Sequence, residues 1–196
     1  MNIITISREY GAGGHSIGER VAKKLGFDFY DQEIIKEIAE KAGLTTDQVE
    51  EEGTLTLADT LIRNITPISY DQKNTIFEYQ CEVIKEIASK GPCVILGRCS
   101  DAILRNEGIP AFNVFLHASE DSRIKRACEL LNTDDIAKVR KIVRHEDHVR
   151  RAYYNYYTSL NWGDHRNYSV SLDSGVLGYD GCAELICSAV KYLREE

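Results

Sequence analysis

The stretch that most constrains this chain runs from Ile3 to Gly18. Ile3-Ile4-Thr5-Ile6 is a β-branched, apolar run, and Gly11-Ala12-Gly13-Gly14 follows it almost at once. Ile17, Val21 and Leu25 then recur every fourth residue, on one face of a helix. Strand, glycine loop and helix make the layout of a phosphate cradle. The glycines let backbone N–H groups turn inward, and the helix N-terminus adds the positive end of its dipole. The full pattern is G-x-x-x-x-G-K-[ST]. This chain departs from it twice: the lysine is absent, and so is the first glycine. Two registers remain, one with His15 at the lysine position and Ser16 at the hydroxyl position, the other with Gly14 at the lysine position. A plainer reading also exists, because Ser16-Ile17-Gly18-Glu19 fits a capping box around a tight turn.

Hydrophobic periodicity divides the remainder into alternating units. Strands are expected at residues 2–7 (central and buried on both faces), 27–30, 93–96, 111–116 and 169–173. Helices are expected at 16–25, 31–42, 45–52, 72–90, 100–106, 119–131, 134–154 and 180–195. From Gly53 to Asp71 the pattern weakens, with Leu57, Leu61 and Ile62 on a possible helix face and Pro67 interrupting it. Such alternation implies right-handed crossovers and a parallel sheet of about five strands with helices on both faces. Ligands bind beyond the carboxyl ends of strands in such sheets. The glycine loop, Asp31, Gly97-Arg98 and His117 all follow strand ends.

At 196 residues and 43% hydrophobic content the chain is expected to build one domain with a sizeable core. A net charge of −7 argues against broad nucleic-acid binding, although Lys138 to Arg151 is locally basic. No apolar run approaches the length that spans a bilayer and no signal segment is evident, so a cytoplasmic protein is expected. The six cysteines form no C-x-x-C pair and read as buried free thiols. His145 and His148 lack the further ligand spacing that a metal site needs.

The chain resembles the cytidylate kinases, within the P-loop nucleoside monophosphate kinases, over most of its length and most strongly from Ile3 to Asp31. Their opening runs strand, G-x-x-G-A-G-K-G-T, helix, Leu-Gly, a short apolar segment and Asp. Here Gly11-Ala12-Gly13-Gly14-His15-Ser16 leads without a gap to Leu25-Gly26-Phe27-Asp28-Phe29-Tyr30-Asp31. That match favours the second register, with Gly14 at the lysine site, Ser16 at the threonine site and Arg8 at the missing first glycine. Ser7-Arg8-x-x-Gly11-x-Gly13-Gly14 and the run from Tyr153 to Asp164 are similar to a bacterial cytidylate-kinase-like branch that also lacks the lysine.

The resemblance implies a P-loop kinase fold with an acceptor-binding helical insertion at 32–90 and a basic helical lid at 119–160. It implies ATP and Mg²⁺, with CMP or dCMP as acceptor. Gly11, Ala12, Gly13, Gly14, His15 and Ser16 would cradle the donor phosphates, with Ser16 toward the magnesium. Arg8 or His15 would replace the lysine charge. Asp31 would position magnesium or the acceptor, or would merely cap a helix. Val94-Ile95-Leu96-Gly97-Arg98 ends where the family has Gly-Arg-Asp, so Arg98 would grip the acceptor phosphate; Cys99 stands for the family aspartate, and Asp101 is nearby. Arg126, Arg144 and Arg151 would supply lid charge. Arg144, Asp147 and Arg150 or Arg151 fit the lid motif loosely, making Asp147 and Arg150 substrate-binding candidates. Arg144, His148 and Arg151 share one helix face, which would otherwise be a solvated charge run. Two alternatives stay open: a P-loop kinase for another small molecule, and a nucleotide-binding regulator without transfer activity.

Overall fold

The computed structural model describes residues 2–54 and 70–193. Five parallel strands form one sheet: β1 (Ile3–Arg8), β2 (Asp28–Tyr30), β3 (Cys93–Leu96), β4 (Phe112–His117) and β5 (Val170–Asp173), in the order β2-β3-β1-β4-β5. All five expected strands are present, and β1 is central. Their connections contain helices α1 (Gly14–Leu25), α2 (Gln32–Ala42), α3 (Thr46–Thr54), α4 (Tyr70–Lys90), α5 (Ser100–Asn106), α6 (Glu120–Leu131) and α7 (Ile136–Thr158). A closing α8 (Ser174–Tyr192) follows β5, and a short 3₁₀ turn at His165–Asn167 precedes it.

Side-chain alternation along the strands sorts the core into two layers. Ile4, Ile6, Val94 and Leu96 pack against Ile17 and Val21 of α1 and Ile186 and Val190 of α8. Ile3, Cys93 and Ile95 face the opposite way, onto Ile34 and Ile38 of α2 and Ile84 and Ile87 of α4. A smaller cluster of Ile124, Ala127, Val139 and Val143 joins α6 to α7. Helices α2, α3 and α4 pack together, and α3 also touches α7.

Several expected boundaries move. α1 starts at Gly14, so Ser16 sits inside its first turn; the N-cap is Gly13, which makes no side-chain bond, and the capping-box reading fails. β1 extends to Arg8, and β4 includes His117. α7 runs one turn further than expected and absorbs the aromatic run through Thr158. α8 begins six residues early because the Asp173 carboxylate accepts from the Gly175 and Val176 N–H groups, and it then kinks at Gly178, whose φ is 67°. The weak pattern at Leu57, Leu61, Ile62 and Pro67 lies outside the described residues, as does the C-terminal end expected for the closing helix. Cys93, Cys99, Cys182 and Cys187 are buried, Cys81 and Cys128 half-buried, and none of the six forms a disulfide. No helix among the described residues is long and apolar enough to cross a membrane.

Candidate functional site

The carboxyl ends of β1, β2 and β3 open onto two adjoining cavities. The first lies over the glycine loop and has a volume of about 290 Å³. Gly11 and Gly13 turn the chain there with φ of 82° and 80°. Both are also crowded: a Cβ on Gly11 would stand 2.6 Å from the Arg123 carbonyl oxygen, and one on Gly13 would enter the Tyr179 ring. Only glycine fits these constraints. Gly11, Gly13, Gly14, His15, Ser16, Asp31 and Arg126 line this cavity; Ala12 is buried beneath it.

Arg8 is the last residue of β1, and its side chain takes the space that glycines leave. A Cβ on Gly14 would lie 2.7 Å from the Arg8 Cγ, and one on Gly97 would collide with the Arg8 guanidinium. The arginine stem therefore crosses the start of α1, and its charge ends against the turn after β3. Burial pushes the Arg8 guanidinium down to about 9, and the neighbouring Arg150 charge adds to the effect, while Asp31 and Glu146 oppose it. A desolvated, crowded cation of this kind favours an anionic ligand.

Asp31 occupies the N-cap position of α2 without capping it. Its carboxylate instead lies 2.7 Å from the His15 imidazole, which stands edge-on to Phe29. Thus the helix-cap reading fails, and Asp31 faces the loop cavity.

The second cavity, about 390 Å³, lies beyond the end of β3 and is lined by Arg98, Glu50, Glu146, Tyr153 and Trp162 among others. Arg8 and Arg150 line both cavities. The turn here is unusual: Gly97, Arg98 and Cys99 have φ of 73°, 54° and 54°, so two non-glycine residues adopt left-handed backbone. Asp101, in the next turn, is buried. Its Oδ2 accepts from the Tyr154 hydroxyl at 2.7 Å, its Oδ1 has no partner, and burial pushes its carboxyl up from the ordinary range.

A charged network fastens α7 to the glycine loop. Arg123 of α6 is buried, donates to the Tyr10 and Ala118 carbonyls, and pairs with Glu9 at 3.2 Å and Asp147 at 2.5 Å. Asp147 in turn accepts the Tyr10 N–H at 2.7 Å, and Arg150 donates to the Arg8 carbonyl at 3.3 Å.

Packing turns a different face of α7 toward the cavities. Arg144, His148 and Arg151 are exposed. Arg144 is paired with Glu120 at 2.7 Å, and Arg151 lies over the Trp162 ring at 5.6 Å. The cavity wall is built from Glu146, Val149, Arg150 and Tyr153. Those positions form an i, i+3, i+4, i+7 stripe, which contains Arg150, a candidate from the sequence, and leaves out Arg144 and Arg151. Arg126 keeps its expected neighbourhood, pairing with Glu129 at 2.9 Å and stacking over Tyr179 at 5.9 Å. Tyr179, Gln80 and Arg123 were not singled out by sequence reasoning, since each depends on a long-range contact.

The profile of the cytidylate kinase-like family matches residues 3–176. A cytidylate kinase of Archaeoglobus fulgidus is 24% identical over 192 residues, covering 96% of this chain and 94% of the relative. Among solved structures, an uncharacterized protein from Eubacterium ventriosum superposes with a TM-score of 0.73 at 25% identity, covering 100% of both chains. Shikimate kinase from Bacteroides thetaiotaomicron gives a TM-score of 0.58 at 15% identity, covering 96% of this chain and 98% of the enzyme. The fold is that of the P-loop kinases, and the chain belongs to the cytidylate kinase-like family.

Proposed function

We propose that the protein transfers the γ-phosphoryl group of ATP to the phosphate of a nucleoside monophosphate, CMP or dCMP. The meeting of two cavities at the shared cations Arg8 and Arg150 carries this reading. Phosphoryl transfer needs positive charge between two phosphate chains, where the equatorial oxygens gain charge in the transition state. An acceptor phosphate oxygen attacks the γ-phosphorus, the bond to the β,γ-bridging oxygen breaks, and ADP departs. No protein nucleophile is required.

In this reading the N–H groups of Gly11 to Ser16 hold the donor phosphates at the start of α1. Arg8 supplies the missing lysine charge, and its stem lies where a side chain at Gly14 would begin. Arg98 holds the acceptor phosphate, and Arg150 bridges to the transferred group. A third cavity of about 300 Å³ runs from Gly11 past Arg126 to Tyr179 and suits the donor base. Magnesium needs only one or two protein oxygens beside water and phosphate. The Ser16 hydroxyl and Asp31 carboxylate, both bordering the loop cavity, fit that donor set. When bound, the ion neutralises phosphate charge. The segment 32–90 serves as the acceptor side and 119–160 as the lid, with Arg126 and Arg150 giving lid charge in place of Arg144 and Arg151. Asp147 acts through Arg123 and Tyr10 on the loop rather than on substrate.

A second reading has one specific support. The His15–Asp31 contact of 2.7 Å puts a hydrogen-bonded carboxylate beside the loop, as a hydroxyl acceptor would require of a base. Incubation with γ-labelled ATP and a panel of nucleoside monophosphates and polyols separates the two. Label on CMP and dCMP is expected. Label only on a polyol favours the second reading, and ATP binding without transfer makes the protein a nucleotide-binding regulator.

A further inference from the structure

Gln80 interrupts the apolar stripe of α4 formed by Ile76, Val83, Ile84 and Ile87. It is 1% exposed, so both ends of its amide must be paired inside the protein. Its Nε2 donates to the Arg98 carbonyl at 2.9 Å, and its Oε1 accepts from the Tyr153 hydroxyl at 3.0 Å. One side chain of α4 thus ties together the turn after β3 and α7, which are two walls of the strand-end cavity. The carbonyl it holds belongs to a residue with φ of 54°, followed by Cys99 with the same value. Left-handed backbone at two successive non-glycine residues is sterically disfavoured and persists only where its surroundings impose it.

We propose that Gln80 is the positioning residue that imposes this turn and so aims Arg98 into the acceptor cavity. The inference rests on the reading of Arg98 as the acceptor-phosphate ligand. Gln80 does not touch substrate; it acts through the backbone of Arg98.

Gln80→Met fills the same volume without a polar group, and Gln80→Glu keeps an oxygen for Tyr153 but loses the N–H to Arg98. Both should raise KM for CMP by about tenfold while leaving KM for ATP within about twofold. Adding Cys99→Gly to Gln80→Met eases the left-handed turn and should recover about threefold of the loss. A rise of both KM values together, or no recovery, marks a merely structural glutamine and overturns the proposal. A crystal structure of Gln80→Met gives a readout independent of activity. Departure of Arg98 or Cys99 from positive φ supports the inference, and retention of both near 54° sinks it. If the wild-type protein transfers nothing to CMP, the nucleoside monophosphate reading fails, and that crystal structure still decides the role of Gln80.

Discussion

The two cavities are shaped by opposite means. Over the loop, glycines at positions 11 and 13 take left-handed backbone with no Cβ to resist it, and a buried ion-pair network clamps the result to α6 and α7. At the end of β3, Arg98 and Cys99 adopt a comparable backbone against their own side chains, above the buried carboxyl of Asp101. The first cavity is permitted by its residue types. The second is imposed by residues distant in sequence: Gln80, Tyr153 and Tyr154. Arg8 belongs to both, and the sharpest tests begin with it.

Arg8→Met keeps the stem across Gly14 and removes the charge. Steady-state transfer from ATP to CMP should fall by about 10²–10³-fold if Arg8 replaces the lysine. The same change should raise the stability of the ligand-free protein by about 1 kcal/mol in urea titrations, because an incompletely compensated cation is gone. The sign follows from the lowered pKa. The folded site disfavours the guanidinium charge relative to the unfolded chain, so the uncharged Met variant should be the more stable of the two at neutral pH. Arg8→Gly with Gly14→Lys moves the cation to the start of α1 and should regain at least about tenfold over Arg8→Gly alone. Unaltered turnover in Arg8→Met would transfer the role to Arg150.

The clamp is tested by Asp147→Ala. Removing one partner leaves Arg123 buried beside Glu9 alone and frees the Tyr10 N–H. Unfolding free energy should drop by about 3 kcal/mol, read from the urea midpoint. Arg144→Ala breaks an exposed pair and should leave the urea midpoint nearly unchanged. Equal losses in the two variants would mean that the loop does not depend on the network.

Much of the fold is legible in the sequence for reasons visible in particular elements. The apolar strand runs and the four-residue spacing of Ile17, Val21 and Leu25 depend on local periodicity, and all five strands follow from it. The loop is equally readable, since Gly11 and Gly13 announce the backbone they adopt. The strand-end cavity is not. Nothing in Gly97-Arg98-Cys99 announces two left-handed residues after the glycine, and nothing around Gln80 reveals a partner eighteen residues away. On α7, the sequence offers Arg144, Arg150 and Arg151 alike, whereas packing brings Arg150, with Glu146, into the cavity wall. Arg8 was found through its alignment with a missing glycine, but its route across Gly14 to Gly97 exists only in three dimensions.

Asp101 offers a pH test of the strand-end side. Burial raises its folded pKa above the unfolded value, opposed by the bond from Tyr154. Its contribution is therefore fully present below the ordinary carboxyl range and is lost as pH rises through the folded value. Asp101→Asn cannot ionise, so it should gain on the wild type as pH rises from acidic to neutral. Thermal melts at matched ionic strength give the comparison. Parallel stability curves for the two proteins would show that the Asp101 carboxyl is not held neutral.

A small effect isolates the strain in the left-handed turn. Arg98→Ala and Arg98→Gly both remove the guanidinium and should weaken CMP binding alike, which isothermal titration can measure. They differ in backbone cost. Alanine at φ 54° retains the Cβ clash, whereas glycine relieves it and gives back part of the gain through a more disordered unfolded chain. Arg98→Gly should therefore be more stable than Arg98→Ala by about 0.5–1 kcal/mol. The same exchange in the opposite direction at the loop, Gly11→Ala, should cost more, because φ of 82° is compounded by the Arg123 carbonyl 2.6 Å from the new Cβ. If Arg98→Gly is instead the less stable of its pair, the turn is unstrained, and the contrast between a permitted and an imposed cavity loses its energetic basis.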